Sequence, residues 1–528
     1  MEITKKNFAE HLENITRDLK RSCFVGFDAE FTAILAGETF KYRLFDTNTE
    51  RYDRLKTEVS KMIMTQIGLT MFQYDRDHDS YLAVGYTFHL CPQAFGNIDQ
   101  SFIFQASTLR FLCKHNFDFN KFTYEGLPYL SKVEEAKLQQ QLKDSSLLNN
   151  LNAGLEIDEE RQIQNYCSEI SKWLQNSDEG TMYIDVKSPV LRYILHNEIR
   201  QRFPDVLTTD SLGNSHKILI YRDKYVEGAN SAPMAILEEN LLLDLQGFSQ
   251  IIDLLALHKK PIIGHNIFLD TVLIHNQFIG PLPKKYSEFK SNIHNLFPIM
   301  FDTKYISHDM RKKLTLDEVW ASNNLQDLYE FFAEGKCKKL KHGVNFIRLS
   351  TPFNVKQSYH EAGWDSYCSG YCFIRLAHWA ACENMGKYRP VGPTEKLAAM
   401  APYCNKVNVI RGAIPYMNLV GEDPPRHRPD LLHVKSVKDR VINIGKVAAA
   451  LASCGVVDVK AYGKRTALVA ANSHFTADKI LKQFKNNEEY RISLFRAYHS
   501  TAGRMSIWGG AIITGSLLLF FLHRNVNK

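Results

Sequence analysis

The chain has 528 residues, 45% of them apolar and 23% charged, with a formal net charge of +7. That length exceeds one ordinary domain, and the composition excludes a largely disordered chain. The mild basic excess permits a polyanionic partner without requiring one, and the ten cysteines lack zinc-ribbon spacing, as expected of reduced thiols in a cytosolic protein.

The N-terminus has no continuous apolar core and so no signal peptide; Ile3, Phe8, Leu12, Ile15 and Leu19 predict an amphipathic helix instead. Residues 22–31 (SCFVGFDAEF) read as a strand, apolar on the side of Cys23, Val25, Phe27 and Ala29, with Asp28 and Glu30 on the other. Residues 65–75 and 80–91 read as two further strands joined by an acidic turn, which makes a three-strand meander. Residues 131–165 are polar and fit a linker or a solvated helix. A helix at 157–175, a strand at 181–186, a helix at 188–202 and a strand at 216–222 form a small inserted α/β unit. A helix at 245–258 leads to the strand PIIGHN, the helical FLDTVLIHNQF and a strand at 296–306. The basic stretch 336–342 fits a solvated surface or an RNA contact. A helix then runs from near Ala362 to about Asn384.

Residues 405–500 give the order βαββαβ, that of an RNA-recognition fold, but the third strand, KRTALVAA, has no Phe or Tyr on which to stack a base. Residues 505–522 carry no charge and would span roughly 27 Å as a helix, near the ~30 Å of a bilayer core. A buried core helix and a tail anchor both fit. The short span and basic flanks lean towards the mitochondrial outer membrane, with the endoplasmic reticulum as the alternative and the large N-terminal part in the cytosol.

Asp28 and Glu30 stand two apart on a strand and so share a face. Two such carboxylates are costly unless cations neutralise them, and hard oxygen donors suit Mg²⁺ or Mn²⁺. An exposed strand also carries such pairs without a metal. Asp270 opens a helix just after Gly264–His265–Asn266, where it serves either the helix dipole or a site at a strand–turn–helix junction. His360 and Asp365 are five apart, about 140° around an ideal helix. His360 must therefore lie in the loop entering the helix whose first turns carry Asp365, and a histidine there suits proton abstraction from water. Gly363 and Gly370 allow that helix to pack closely. His265 and Asn266 adjoin the site, either orienting substrate or buried as structure.

The ordered set D-x-E, distant Asp, H-x4-D resembles the DEDD exonucleases of the ribonuclease H-like fold, in their histidine subtype. GFDAEF, the FDFNK…GLPYL segment, GHNIFLD, the run 281–307 and HEAGWDSY are similar to the poly(A)-specific ribonuclease branch, over residues 1–385. The resemblance implies an α/β fold: a ribonuclease H-like mixed-sheet nuclease in two halves, 1–150 and 231–390. Between them, 151–230 would be a small α/β domain of R-x3-H type, with Arg192 and His196 as its named pair. Residues 405–500 would be a degenerate RNA-recognition-like domain and 505–522 a transmembrane anchor.

The implied activity is Mg²⁺-dependent 3′-to-5′ exoribonuclease action that releases nucleoside 5′-monophosphates. Asp28, Glu30, Asp270 and Asp365 would hold two Mg²⁺, with Mn²⁺ able to substitute, and His360 would be the general base. The terminal span directs the resemblance to a membrane-anchored branch whose members shorten precursors of PIWI-interacting RNAs at the mitochondrial surface, in gene silencing during gametogenesis. The partners so implied are a single-stranded RNA 3′ end, the PIWI protein carrying it, a membrane-bound tudor-type adaptor and a second copy of the chain. A general poly(A) deadenylase and a non-catalytic RNA-binding scaffold are the alternatives.

Overall fold

The structure, a computed structural model, describes residues 1–33, 43–204, 206–210, 216–222, 233–312, 319–335, 340, 344–350, 358–386, 389–437, 440–496 and 499. The expected anchor 505–522 and most of the basic stretch 336–342 lie outside these. Among the described residues no helix is long and apolar enough to cross a membrane. The chain forms two compact units, the first comprising Met1–Thr39, Tyr52–Asn408 and Asn418–Glu422, the second Phe40–Arg51, Val409–Met417 and Asp423–Lys528.

The strands of the first unit are β1 (Glu2–Ile3), β2 (Phe24–Phe31), β3 (Met64–Asp75), β4 (Ser80–His89), β5 (Thr181–Asp185), β6 (Val206–Asp210), β7 (Lys217–Arg222), β8 (Ile262–Gly264), β9 (Met300–Asp302) and β10 (Phe346–Leu349). A mixed sheet runs β1-β4-β3-β2-β8-β9, with β10 also on β4. The expected meander is its centre, since β2, β3 and β4 pair antiparallel, while β8 joins β2 in parallel. Ile3 departs from the expected first helix. It lies in β1, and the helix begins at Phe8, with Phe8, Ile15 and Leu19 buried.

Strand β2 is covered on both faces rather than one. The long helix Ala362–Met385, buried along most of its length, lies over the side that carries the acids. Gly68, paired across from Asp28, makes this possible: a Cβ there would come within 1.9 Å of the Ala362 carbonyl oxygen. On the helix, Gly370 plays the corresponding part, because a Cβ would meet the Phe72 ring at 2.1 Å. The sequence pattern shows an apolar face plus two acids. It does not show that the acidic face is itself roofed.

Residues 131–165 are not a linker. Helices Lys132–Lys143 and Leu147–Ala153 bury Leu138, Leu147 and Leu151 in one core with Trp173, Ile194 and Leu195. One or two anchors per short helix suffice when neighbours complete the core, so their average polarity hides them. The expected strand 296–306 is only β9, because the Asp302 carboxylate accepts the Lys304 N–H (3.0 Å) and starts the helix Thr303–Lys312. The helix read at 245–258 begins only at Ser249, and Gly247, with φ +44°, separates it from an earlier helix, Met234–Gln246, that the sequence reading lacks. Strands β5, β7 and β6 form a small antiparallel sheet in the order β5-β7-β6, of which β6 had no legible signal. Its helix Pro189–Arg202 does not hold Arg192 and His196 out in solvent. His196 is buried, and Arg192 pairs with Asp244 and donates to the Val186 carbonyl (3.3 Å).

Two short strands, β11 (Lys406–Asn408) and β12 (Tyr416–Asn418), follow. The second unit then contains β13 (Leu432–Ser436), β14 (Val457–Gly463), β15 (Thr466–Ala471) and β16 (Tyr490–Leu494), with helices Ile444–Leu451 and His474–Gln483 between them. They pair antiparallel in the order β14-β15-β13-β16. Val434, Ala467 and Val469 face its core. On the opposite face His433 stacks on His499 at 4.2 Å, edge-on to Tyr462.

Candidate active site

Strand β2 brings Asp28 and Glu30 to one face, and the first turn of the roofing helix brings Asp365 to meet them. One carboxylate oxygen from each of Asp28, Glu30 and Asp365 lies within 4.8 Å of the others. Asp270, buried in the first turn of Phe268–Ile274 beyond β8, stands outside that triad. It is near enough that its charge raises the pKa of both Asp28 and Glu30.

Burial is the largest cause of the upward shift at all four acids. Asp365 and Asp270 then add to it at Asp28 and Glu30, and both of those acids stand well above the carboxylate range. Asp270 and Asp365 are each pushed up to about 7. Three desolvated carboxylates on one spot, with a fourth close enough to repel them, need positive charge or protons. The donor set fits divalent cations: it is all oxygen, as hard cations prefer, and the buried Asp365 Oδ1 has no hydrogen-bond partner among the described residues. Asp28, Glu30 and Asp365, with Asp270 beside them, are the residues that would hold the ions.

His360 lies in the turn before the helix, with φ +67°, and its backbone N–H donates to Asp365 Oδ2 at 3.0 Å. The residue is exposed. Desolvation, then His115 and Lys114, lower its pKa, so the ring is neutral at physiological pH, as a proton acceptor requires. His265 is fixed as structure: Nδ1 lies 2.9 Å from Thr303 Oγ1, Nε2 lies 3.2 Å from the Asn323 carbonyl, and burial lowers its pKa to about 3.

Several supporting residues escaped the sequence reading. Gln66 on β3 accepts the Ala362 N–H (3.0 Å). Glu361 caps the helix by accepting the Trp364 N–H, and it also accepts the Thr87 hydroxyl. These bonds tie the helix start to β3 and β4. Asp302 is fully buried and accepts four backbone N–H groups, from Asn266, Ile267, Lys304 and Asn408. It thereby shapes the turn that delivers Asp270. Asn408 also donates its side-chain amide to Asn266 Oδ1 at 2.9 Å. A buried Gln on an apolar strand and an Asp closing a short one are signals a reader can find; which backbone groups they bind is not.

The family model for the CAF1 family ribonuclease matches residues 3–373. The chain belongs to this ribonuclease family. It is 64% identical over 525 residues, 99% of each chain, to the pre-piRNA 3′-exonuclease trimmer of Bombyx mori. It is 29% identical to the poly(A)-specific ribonuclease PNLDC1 of Mus musculus over 99% of each chain. It is 27% identical to the poly(A)-specific ribonuclease PARN of Xenopus laevis, over 94% of this chain and 81% of that one. The solved S. pombe Pop2p, in its Mg²⁺- and Mn²⁺-bound form, is similar over 71% of this chain and 90% of that chain, at 13% identity and a TM-score of 0.35. The enzyme is accordingly a 3′-to-5′ exoribonuclease, and the scaffold alternative falls away.

Proposed function

We propose that this ribonuclease trims the 3′ ends of piRNA precursors held by a PIWI protein, in a reaction that depends on Mg²⁺ at Asp28, Glu30, Asp270 and Asp365. The observation that carries the substrate is the 64% identity, over 99% of both chains, to a pre-piRNA 3′-exonuclease. The poly(A)-specific relatives stand at 29% and below, so the deadenylase reading ranks second.

Two bound cations would stabilise both the attacking and the leaving oxygen of the terminal phosphodiester and lower the pKa of the water. His360 takes the water's proton. Asp365 fixes His360 through the backbone bond, so base and metal ligand move together. The roofing helix keeps bulk water from the inner side of the acids, which strengthens every charge interaction there. Attack on the last linkage releases a nucleoside 5′-monophosphate, and Mn²⁺ would substitute for Mg²⁺ because both take oxygen donors. Residues 505–522 would anchor the chain in the mitochondrial outer membrane, where a tudor-type adaptor presents the RNA. A homodimer is part of the same reading.

Glu30→Ala tests the site and substrate together. It should abolish trimming of a PIWI-bound precursor in Mg²⁺ while leaving RNA binding intact. Wild-type trimming by that variant would remove the metal-site reading. A strong preference of the wild type for free oligo(A) over the PIWI-bound precursor would favour the deadenylase.

A further inference from the structure

A general base acts only within hydrogen-bond reach of the proton it takes, and small displacements are costly. The backbone of His360 is tied down by Asp365, but its ring is exposed and two side-chain torsions remain to be fixed. Among the described residues, the rings against it are Phe111, at 4.8 Å and 73°, and His115, at 4.3 Å and 62°. Both come from one short helix, Ala106–Lys114 and its capping residue His115, far from residue 360 in sequence. Phe111 and His115 are four apart and so share one helix face, with their own rings 4.6 Å apart. The edge-to-face arrangement is the favoured one for such rings.

That helix end is itself locked. The Phe117 N–H returns to the Leu112 carbonyl at 3.0 Å and the Asn116 N–H to Cys113 at 3.2 Å, with Asn116 at φ +57°. This is the paired closure of a helix C-terminus. Leu112 is buried, and Phe117 packs on Phe119 at 4.9 Å. His115 therefore presents its ring from a helix end whose backbone is closed, and it is the less exposed of the two histidines.

We propose that His115 is a positioning residue, whose ring holds the imidazole of His360 in the orientation that takes a proton from the attacking water. The inference rests on the reading of His360 as the base. His115 touches neither the reacting atoms nor the carboxylates in this account; it acts through His360.

The test uses the full chain on a single-stranded oligoribonucleotide in Mg²⁺. His115→Ala should lower kcat about tenfold, within the range a misplaced group produces, with KM changed less than about twofold. His115→Phe, which keeps a ring on the same mount, should recover most of the loss. In a His360→Ala background, already slow, His115→Ala should add nothing further. Three results would overturn the proposal: a loss confined to KM, a full additional loss in the His360→Ala background, or no loss at all. His360→Ala by itself separates the two layers. If that variant keeps wild-type kcat, the base assignment fails; if it is slow and His115→Ala is not, only the positioning role fails. Thermal melting of each variant identifies any that loses the fold, and His115→Phe then carries the comparison.

Discussion

At the site, like charges are packed against their own repulsion. Asp270 and Asp365 titrate near 7 in the fold, against an ordinary 3.8. Because the folded pKa is the higher, the folded chain holds more protons than the unfolded one between these limits. Without metal, the contribution of these two acids to stability is therefore greatest below that window and falls as pH rises through it. Divalent cations held by these acids would take over the neutralising role above it. Millimolar Mg²⁺ should raise Tm more at pH 8 than at pH 5.5, by differential scanning fluorimetry; equal rises at both would exclude these acids as the binding site. Glu30→Ala removes one of the repelling charges, so its Tm without Mg²⁺ should not fall below the wild type. His360 works in the opposite sense. Its lowered pKa keeps it a base at neutral pH, and activity should be lost as acid protonates it.

At the scale of elements, the contact between the meander and the helix Ala362–Met385 decides the geometry. The sequence shows the helix almost to the residue, and it shows that Asp365 belongs in its first turns with His360 in the loop before it. It does not show where the helix lies. Gly68 does that in three dimensions, by leaving room for the Ala362 carbonyl directly across from Asp28. Gly68→Ala should cost about 1–3 kcal/mol, the usual penalty of overpacking, measured by urea denaturation. It should also lower kcat more than it raises KM, because the helix start that carries Asp365 must shift. An unchanged kcat would mean that the helix start tolerates displacement. Short-period signals were legible for β2, β3, β4 and the helix Ile157–Asn176. They failed for β6, for the burial of the helices Lys132–Lys143 and Leu147–Ala153, read as either a linker or a solvated helix, and for the end of β9, where partners remote in sequence complete the core or a side chain diverts the backbone.

For the whole molecule, the candidate nuclease site lies within the first unit, on residues from 28 to 365. The remaining questions concern delivery of RNA to it. The tail at 505–522 is proposed as the anchor. Deleting residues 505–528 should release the enzyme from alkali-washed membranes, leave its rate on free RNA unchanged and slow trimming of precursor presented on the membrane. Retention of the truncated chain in the membrane pellet would contradict the anchor.

Residue types and local periodicity show the paired acids Asp28 and Glu30, the histidine five residues before Asp365 and most elements that carry them; Asp270 joins them as one candidate donor set only through the resemblance to the DEDD exonucleases. Residue types and periodicity do not show how those donors meet. Asp28 and Glu30 come from a central strand, Asp270 from the helix that follows its parallel neighbour and Asp365 from a helix laid across both. Their approach depends on sheet order, on a missing side chain at Gly68 and on Asp302 gathering backbone amides from three segments. The mount for His360 belongs to the same class, since Phe111 and His115 lie some 250 residues before it and no local pattern links them. Periodicity reports what one element does with its own side chains; which faces touch is set by packing between segments remote in sequence.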